Sequence, residues 1–200
     1  MKDWLFYEKE CINKGYNIVC GVDEAGRGPL AGPVCAAAVI LEEGKIIEGA
    51  DDSKKLSEKK RENLFEIIKD EAIAYGIAFS YEEEIDSLNI LNATYLAMNR
   101  AVSALRLKPD IILVDGNRVP DFGIPAKPLV KGDAISMSIA CASILAKVTR
   151  DRYMQELDVK YPVYEFGRHK GYGTKLHIEK LKEYGCSPVH RKSFLKKIIG

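Results

Sequence analysis

Residues 16–41 read YNIVCGVDEAGRGPLAGPVCAAAVIL, two apolar, partly β-branched runs divided by a turn punctuated with glycine and proline. The runs at 17–22 and 33–41 have the composition of buried strands, and the short connection between them implies antiparallel pairing. Asp23 and Glu24 stand side by side where the first strand ends and lead directly into Gly26-Arg27-Gly28-Pro29. Two acids beside a cationic glycine loop suit a site for a metal and a phosphate.

Further along, Ala72 to Ser80 gives a third strand, and Ile111-Ile112-Leu113-Val114 a fourth that ends in Asp115-Gly116. Before the third strand Ser57 to Glu71 is amphipathic, with Leu64, Phe65, Ile67, Ile68 and Ala72 on one side and Ser57 placed as its cap. A second helix is expected across Leu88, Leu91, Tyr95, Met98, Val102 and Leu105, stopped by Pro109. The Pro- and Gly-rich loop 116–131 has room for one short strand near Pro128-Leu129-Val130. Lys131-Gly132-Asp133 then opens a long helix from Ala134 to about Leu157. Its segment 138–146 is small and apolar on nearly every face, as suits a helix buried against a sheet. This order is that of an α/β fold with a mixed sheet. If the first and fourth strands are neighbours, Asp23 and Asp115 meet at their ends, and Asp133 reaches the same point from beside the sheet.

Each acid has an ordinary explanation. Asp115-Gly116 is a common turn pair, Asp133 is placed to cap the following helix, and Glu24 can face solvent because successive strand residues point opposite ways. Four carboxylates at element ends are harder to dismiss. Strand ends of an open α/β sheet form the crevice where ligands bind, and carboxylates gathered there repel one another unless a divalent cation neutralises them. Carboxylate ligands select magnesium or manganese, and no Cys or His spacing suggests structural zinc.

A chain of 200 residues, 46% hydrophobic and 30% charged, suits one globular domain with a substantial core. The five cysteines are an odd number without CxxC spacing, several in apolar runs, so buried thiols in a reducing cytoplasm are expected. Acids among the first ten residues and the lack of an 18-residue apolar stretch argue against export or membrane insertion. Charge is unevenly spread: residues 160–200 hold ten Lys/Arg against three Asp/Glu, whereas residues 1–159 hold twenty against twenty-six. Tyr161, Tyr164, Phe166 and Tyr172 are interleaved with Arg168, His169 and Lys170 in that basic segment, a mixture suited to phosphates, sugars and bases.

Eight segments in order make the chain resemble the bacterial ribonuclease HII family of the ribonuclease H superfamily. They are Gly21-Val-Asp-Glu-Ala-Gly-Arg-Gly-Pro-Leu-Ala-Gly-Pro33, Asp52-Ser-Lys-Lys-Leu-Ser57, Asn89-Ile-Leu-Asn-Ala-Thr94, Val114-Asp-Gly116, Lys131-Gly-Asp133, Ser138-Ile-Ala-Cys-Ala-Ser-Ile-Leu-Ala-Lys-Val-Thr-Arg-Asp151, His169-Lys-Gly-Tyr-Gly-Thr174 and His190-Arg-Lys-Ser-Phe194. The resemblance implies a ribonuclease H-like five-stranded mixed sheet flanked by helices. Residues 1–200 would form one catalytic domain, of which about 160–200 is a helical, basic segment that closes over the substrate.

Position by position, the resemblance makes Asp23, Glu24, Asp115 and Asp133 the metal-binding and catalytic acids, with Mg2+ or Mn2+ as cofactor. It makes Gly26-Arg27-Gly28 the loop that reads a ribose 2'-hydroxyl at an RNA-to-DNA junction, and Tyr172 the aromatic that packs on the neighbouring deoxyribose. Lys54, Lys55 and Arg191 would hold backbone phosphates, and His169, His177 and His190 would touch phosphates or lie on the surface. The implied partners are RNA/DNA hybrids and duplex DNA containing single ribonucleotides, cut on the 5' side to leave 3'-hydroxyl and 5'-phosphate ends by a two-metal reaction. A monomer is expected. Residues 193–200 lack the glutamine and paired aromatics of a sliding-clamp peptide, and no clamp partner is expected. A ribonuclease HIII-like enzyme, the nearest alternative, would lack Arg27 and carry glutamate in place of Asp133. A non-catalytic nucleic-acid-binding module, with the acids only as caps and turns, is the alternative of a different class.

Overall fold

Residues 34–40, Val-Cys-Ala-Ala-Ala-Val-Ile, are apolar at every position because both faces of their strand are covered. Cys35, Ala37 and Val39 pack with one set of helices, and Val34, Ala36, Ala38 and Ile40 with another. The computed structural model describes residues 3–196. Five strands, β1 (Val19–Ala25), β2 (Val34–Ile40), β3 (Ala74–Ser80), β4 (Ile111–Asp115) and β5 (Ala126–Leu129), form one sheet in the order β3-β2-β1-β4-β5. The β1-β2 and β2-β3 pairs are antiparallel, and β1-β4 and β4-β5 are parallel. The mixed sheet and the β1-β4 adjacency agree with expectation.

The helices are α1 (Phe6–Asn13), α2 (Glu58–Glu71), α3 (Glu82–Leu88), α4 (Ile90–Ser103), α5 (Met137–Lys160), α6 (Phe166–His169), α7 (Lys175–Tyr184) and α8 (Lys192–Leu195). α5 lies on β1 so closely that a Cβ added at Gly21 would fall 2.2 Å from the Ser138 carbonyl carbon. On the opposite face α4 crosses β3 at Gly76, where an added Cβ would meet the Ala101 oxygen at 2.1 Å. Each contact requires the absence of a side chain.

Ser57 caps α2 as expected, accepting from the Lys60 N–H. Three details differ from expectation. The helix expected from Leu88 to Leu105 is broken at Asn89, whose φ of 68° is left-handed and whose side chain caps Leu91 and Asn92. Ser136, not Asp133, caps α5, so Asp133 is released from a capping role. The short strand in the 116–131 loop begins two residues earlier than read, at Ala126. Cys11, Cys20, Cys35 and Cys141 are buried, whereas Cys186 is exposed. Among the described residues no helix is long and apolar enough to cross a membrane. Residues 197–200, the end of the stretch read for a clamp peptide, lie outside the described residues.

Candidate active site

Parallel pairing of Val22 with Val114 makes Asp23 and Asp115 the next residues on adjacent strands. Alternation turns them toward α5, the side on which Leu113 packs with Ile139 of that helix. Asp115 Oδ1 then accepts from the Gly132 N–H at 2.6 Å, drawing in the turn that carries Asp133. That turn starts with Lys131 in the left-handed region (φ 58°) and continues as a 3-10 turn, Gly132–Ala134. A Cβ at Gly132 would fall 2.6 Å from Ile139 Cδ1 and 3.4 Å from Asp115 Oδ1, so a side chain there would have to push Ile139 of α5 aside. One oxygen from each of Asp23, Asp115 and Asp133 lies within 4.8 Å of the others.

Glu24 is outside this triad, as expected for the next residue along a strand, yet it does not point into open solvent. Its side chain is 13% exposed and meets Arg27 Nη1 at 3.3 Å. Burial is the main cause that raises the Glu24 carboxyl, with Arg27 pulling against it. Burial raises Asp23 well above the carboxylate range, and the charges of Glu24 and Asp115 add to that. Asp133 is pushed up to about 6 by burial, then by Asp115 and Asp52. Asp23 and Asp133, each destabilised as an anion by burial and by the Asp115 charge, form with Asp115 a site that gains from a cation. Hard carboxylate oxygens with no sulfur or imidazole among them fit magnesium or manganese.

Support for the triad comes from residues to which the sequence reading gave no role. Ser143 on α5 favours the Asp23 anion, and the Ser53 and Ser143 hydroxyls share a hydrogen bond of 2.9 Å, tying the 52–55 segment to α5 beside β1. Arg61 holds that segment by donating to the Ser53 and Leu56 carbonyls. Lys54 therefore stands between the acids and the adjoining cleft. Partial burial works against its charge, but the fields of Asp23, Asp133, Asp52 and Asp115 outweigh that and raise its pKa. Lys55 is largely exposed and lies 3.6 Å from Asp51 and 3.8 Å from Asp52.

The cleft next to the triad is lined by Gly26, Arg27, Gly28, Lys147 and Tyr172. Gly26 has φ 95°, and a Cβ there would collide with the Arg150 guanidinium at 2.0 Å, so the fold itself demands this glycine. Gly28 is different. A Cβ there would meet only Tyr172 Cε1, at an ordinary 3.7 Å, so its bareness keeps open the space between loop and ring. Tyr172 is 45% exposed and forms the far wall.

Two expectations for the basic segment are corrected. Arg191 has no exposed surface and donates from its guanidinium to the carbonyls of Gly26, Arg27, Pro29 and Gly32, so it is turned inward, away from any phosphate. The three histidines are neither surface residues nor phosphate contacts. His177 Nδ1 donates to the Tyr172 carbonyl (2.9 Å) and its Nε2 accepts from His190 Nε2 (3.0 Å), while His190 Nδ1 accepts from the Ser187 N–H (2.9 Å). His169 stacks on His177 at 4.3 Å, accepts from the Gly171 N–H and donates to the Tyr164 carbonyl. This chain of bonds fixes all three rings neutral. Burial holds His177 and His190 down to about 4. Tyr164 and Phe166, read as candidates for sugar or base contact, are buried against these rings. Tyr172 is thus the aromatic of that set that faces the cleft.

The ribonuclease HII family model matches residues 20–197. The chain is 58% identical over 198 residues to ribonuclease HII of Caldicellulosiruptor bescii, covering 99% of this chain and 96% of the relative. It is 57% identical to ribonuclease HII of Acetivibrio thermocellus, over 98% of this chain and 77% of the relative. Among solved structures it resembles ribonuclease H2 from Pyrococcus horikoshii (TM-score 0.73, 33% identity, 88% of this chain and 93% of that one). It also resembles the ribonuclease HII of a PCNA complex from Archaeoglobus fulgidus (TM-score 0.75, 28% identity, 91% and 95% coverage). The extent of these matches, joined to an acid triad at the strand ends, shows that the chain belongs to the ribonuclease HII family and is a ribonuclease H.

Proposed function

We propose that the protein hydrolyses the RNA strand of RNA/DNA hybrids and cuts duplex DNA on the 5' side of a single embedded ribonucleotide, leaving 3'-hydroxyl and 5'-phosphate ends. The observation that carries this reading is the convergence of Asp23, Asp115 and Asp133 within 4.8 Å, beside a cleft whose Gly28 wall is bare without steric need. Asp23, Asp115 and Asp133, with Glu24 at their edge, would hold divalent cations, magnesium or manganese. Bound there, a pair of such ions supplies an activated water and charge stabilisation for the leaving 3'-oxygen. The chain's own residues do the rest. Asp115 is held by the Gly132 N–H and Asp23 by Ser143, so the carboxylates meet the ions with little rearrangement. Gly26-Arg27-Gly28 brings backbone and a cation close to a sugar-phosphate, and Tyr172 packs on the adjacent deoxyribose across the cleft. Lys54 faces the scissile phosphate, and Lys55 one further along the backbone. Residues 160–200 act as the substrate-binding part of a single catalytic domain.

The test is cleavage of a duplex carrying one ribonucleotide and of a uniform hybrid, with product ends mapped, with and without EDTA. Cutting 5' of the ribonucleotide, restored by added magnesium or manganese, is expected. Cutting on the 3' side, or EDTA-resistant cutting, refutes the reading.

A further inference from the structure

Two arginines buried beneath the glycine loop have no part in the acid cluster. Arg191 donates through Nε to the Gly32 carbonyl (2.8 Å), through Nη1 to Arg27 (3.0 Å) and Pro29 (2.8 Å), and through Nη2 to Gly26 (2.6 Å). Its own N–H donates to the Leu30 carbonyl at 2.9 Å. Arg150, 1% exposed, donates to the carbonyls of Pro33 (2.9 Å), Lys170 (3.1 Å) and Ala31 (3.2 Å). Of the carbonyls from Gly26 to Pro33, only that of Gly28 is left out of this set.

Among the described residues neither guanidinium has a carboxylate within ion-pair distance. Of the buried acids nearby, Asp151 pairs with Lys147 and Arg61 instead, and Glu82 Oε1 has no hydrogen-bond partner. Two like charges buried without a paired carboxylate are a costly way to fill space, and apolar side chains of similar volume would do so more favourably. What a guanidinium supplies instead is a rigid fork of donors that fixes the direction of several carbonyls at once. The direction matters because C=O and N–H are antiparallel in a trans peptide, and no peptide bond among the described residues is cis. With the Gly26 and Arg27 carbonyls drawn down to Arg191, the N–H groups of Arg27 and Gly28 face the opposite way. No intramolecular hydrogen bond engages either N–H among the described residues.

We infer that Arg191, backed by Arg150, is a positioning residue: it turns the Gly26-Arg27-Gly28 peptide planes so that their N–H groups face the cleft. Discrimination of ribose from deoxyribose then depends on a side chain that never touches nucleic acid. This rests on the reading of Gly26-Arg27-Gly28 as the sugar-reading loop. The segment bearing Arg191 is anchored from outside by Asp86, which accepts from the N–H groups of Lys192 and Ser193 at 2.9 Å each.

The experiment measures binding by the full chain carrying Asp115→Asn, in calcium, of two duplexes that differ only in one ribonucleotide. The ratio of the two dissociation constants is the readout. Lysine in Arg191→Lys keeps the charge but loses the fork, and should lower the ratio about tenfold while affinity for the all-DNA duplex stays within about twofold. A role confined to stability would lower the melting temperature and leave the ratio alone, and that result overturns the inference. Gly28→Ala, which the fold has room for, separates this from the reading beneath it. If Gly28→Ala lowers the ratio and Arg191→Lys does not, the loop reads the sugar without Arg191. If neither lowers it, the loop does not read the sugar and both fall. Should Arg191→Lys fail to melt cooperatively, Asp86→Ala loosens the same segment from the surface and should lower the ratio about threefold. An unchanged ratio in Asp86→Ala overturns the inference.

Discussion

The acid triad and the histidine cluster are both buried groups of ionisable side chains, built on opposite terms. At the acid triad, burial and then the charge of neighbouring acids raise the Asp23 and Asp133 carboxyls, and the site opens on a cleft. Around His169, His177 and His190 every ring nitrogen has a hydrogen-bond partner, and burial lowers the rings until they are neutral. The first arrangement holds unfavourable charge that a ligand can relieve, and the second has none to relieve. Buried titratable groups mark a functional site when their mutual bonds are left incomplete, and a structural core when those bonds close on themselves.

The strongest way to break this contrast is to neutralise the triad. Asp23→Asn or Asp115→Asn should reduce metal-dependent cleavage at least about a thousandfold, some 4 kcal/mol in the barrier. Removing one like charge should leave the melting temperature unchanged or raise it. Turnover near that of the parent, or a marked loss of stability, would place these acids with the structural groups.

The histidine cluster should respond to pH instead. His177 and His190 titrate near 4 when folded but near 6.5 when unfolded, so between those values the unfolded chain binds more protons and stability rises with pH. Lowering pH from 6.5 to 5 should therefore cost about 2–3 kcal/mol. Asp133, raised to about 6, opposes this, because the native state takes up a proton that the unfolded chain would not. Denaturant titration of the Asp23→Asn/Asp133→Asn protein removes the triad's part of that opposition, leaving that of Glu24 and Glu82, and should steepen the acid-side loss. A flat profile there would show that the rings are not held neutral.

Tyr172 stands where the two regions meet, its carbonyl closing the histidine chain and its ring facing Gly28. Tyr172→Ala keeps the carbonyl and removes the ring. It should lower cleavage at a lone ribonucleotide by about 1–3 kcal/mol with little change in the acid-side stability profile. Equal activity on that substrate would remove Tyr172 from the site.

The triad was legible in residues 16–41 and 111–133 because strand pairing and alternation place Asp23 and Asp115 without knowledge of any side-chain contact. The limits of that reading lie where position in sequence says nothing about direction. Arg191 and the histidines have the composition of a phosphate-binding patch, and only the folding of residues 162–191 back over the glycine loop turns them inward. The break at Asn89 was hidden because the apolar spacing continues across it. Ser53 and Ser143 lie within segments already singled out, yet a bond between residues ninety positions apart leaves no local signal.

The smallest expected effect concerns the cations that remain outside the histidine core. Arg191 is buried, and Arg168 and Lys180 lie 2.6 Å and 3.6 Å from Glu165, so the segment's excess charge is less available than its composition implies. Lys175 lies 3.8 Å from Glu179 but has a side chain 91% exposed, and Lys170 is half-buried. Each phosphate contact contributes about 0.9 to the slope of log affinity against log salt on a B-form duplex. Lys170→Ala with Lys175→Ala, in Asp115→Asn protein with calcium, should flatten that slope by about one to two units and weaken binding to all duplex sequences alike. A flatter slope with an unmoved cleavage position in the active protein would assign these lysines to the backbone. A slope equal to the parent's would make them solvated charges, and leave Lys54 and Lys55 as the cations through which the acid site meets phosphate.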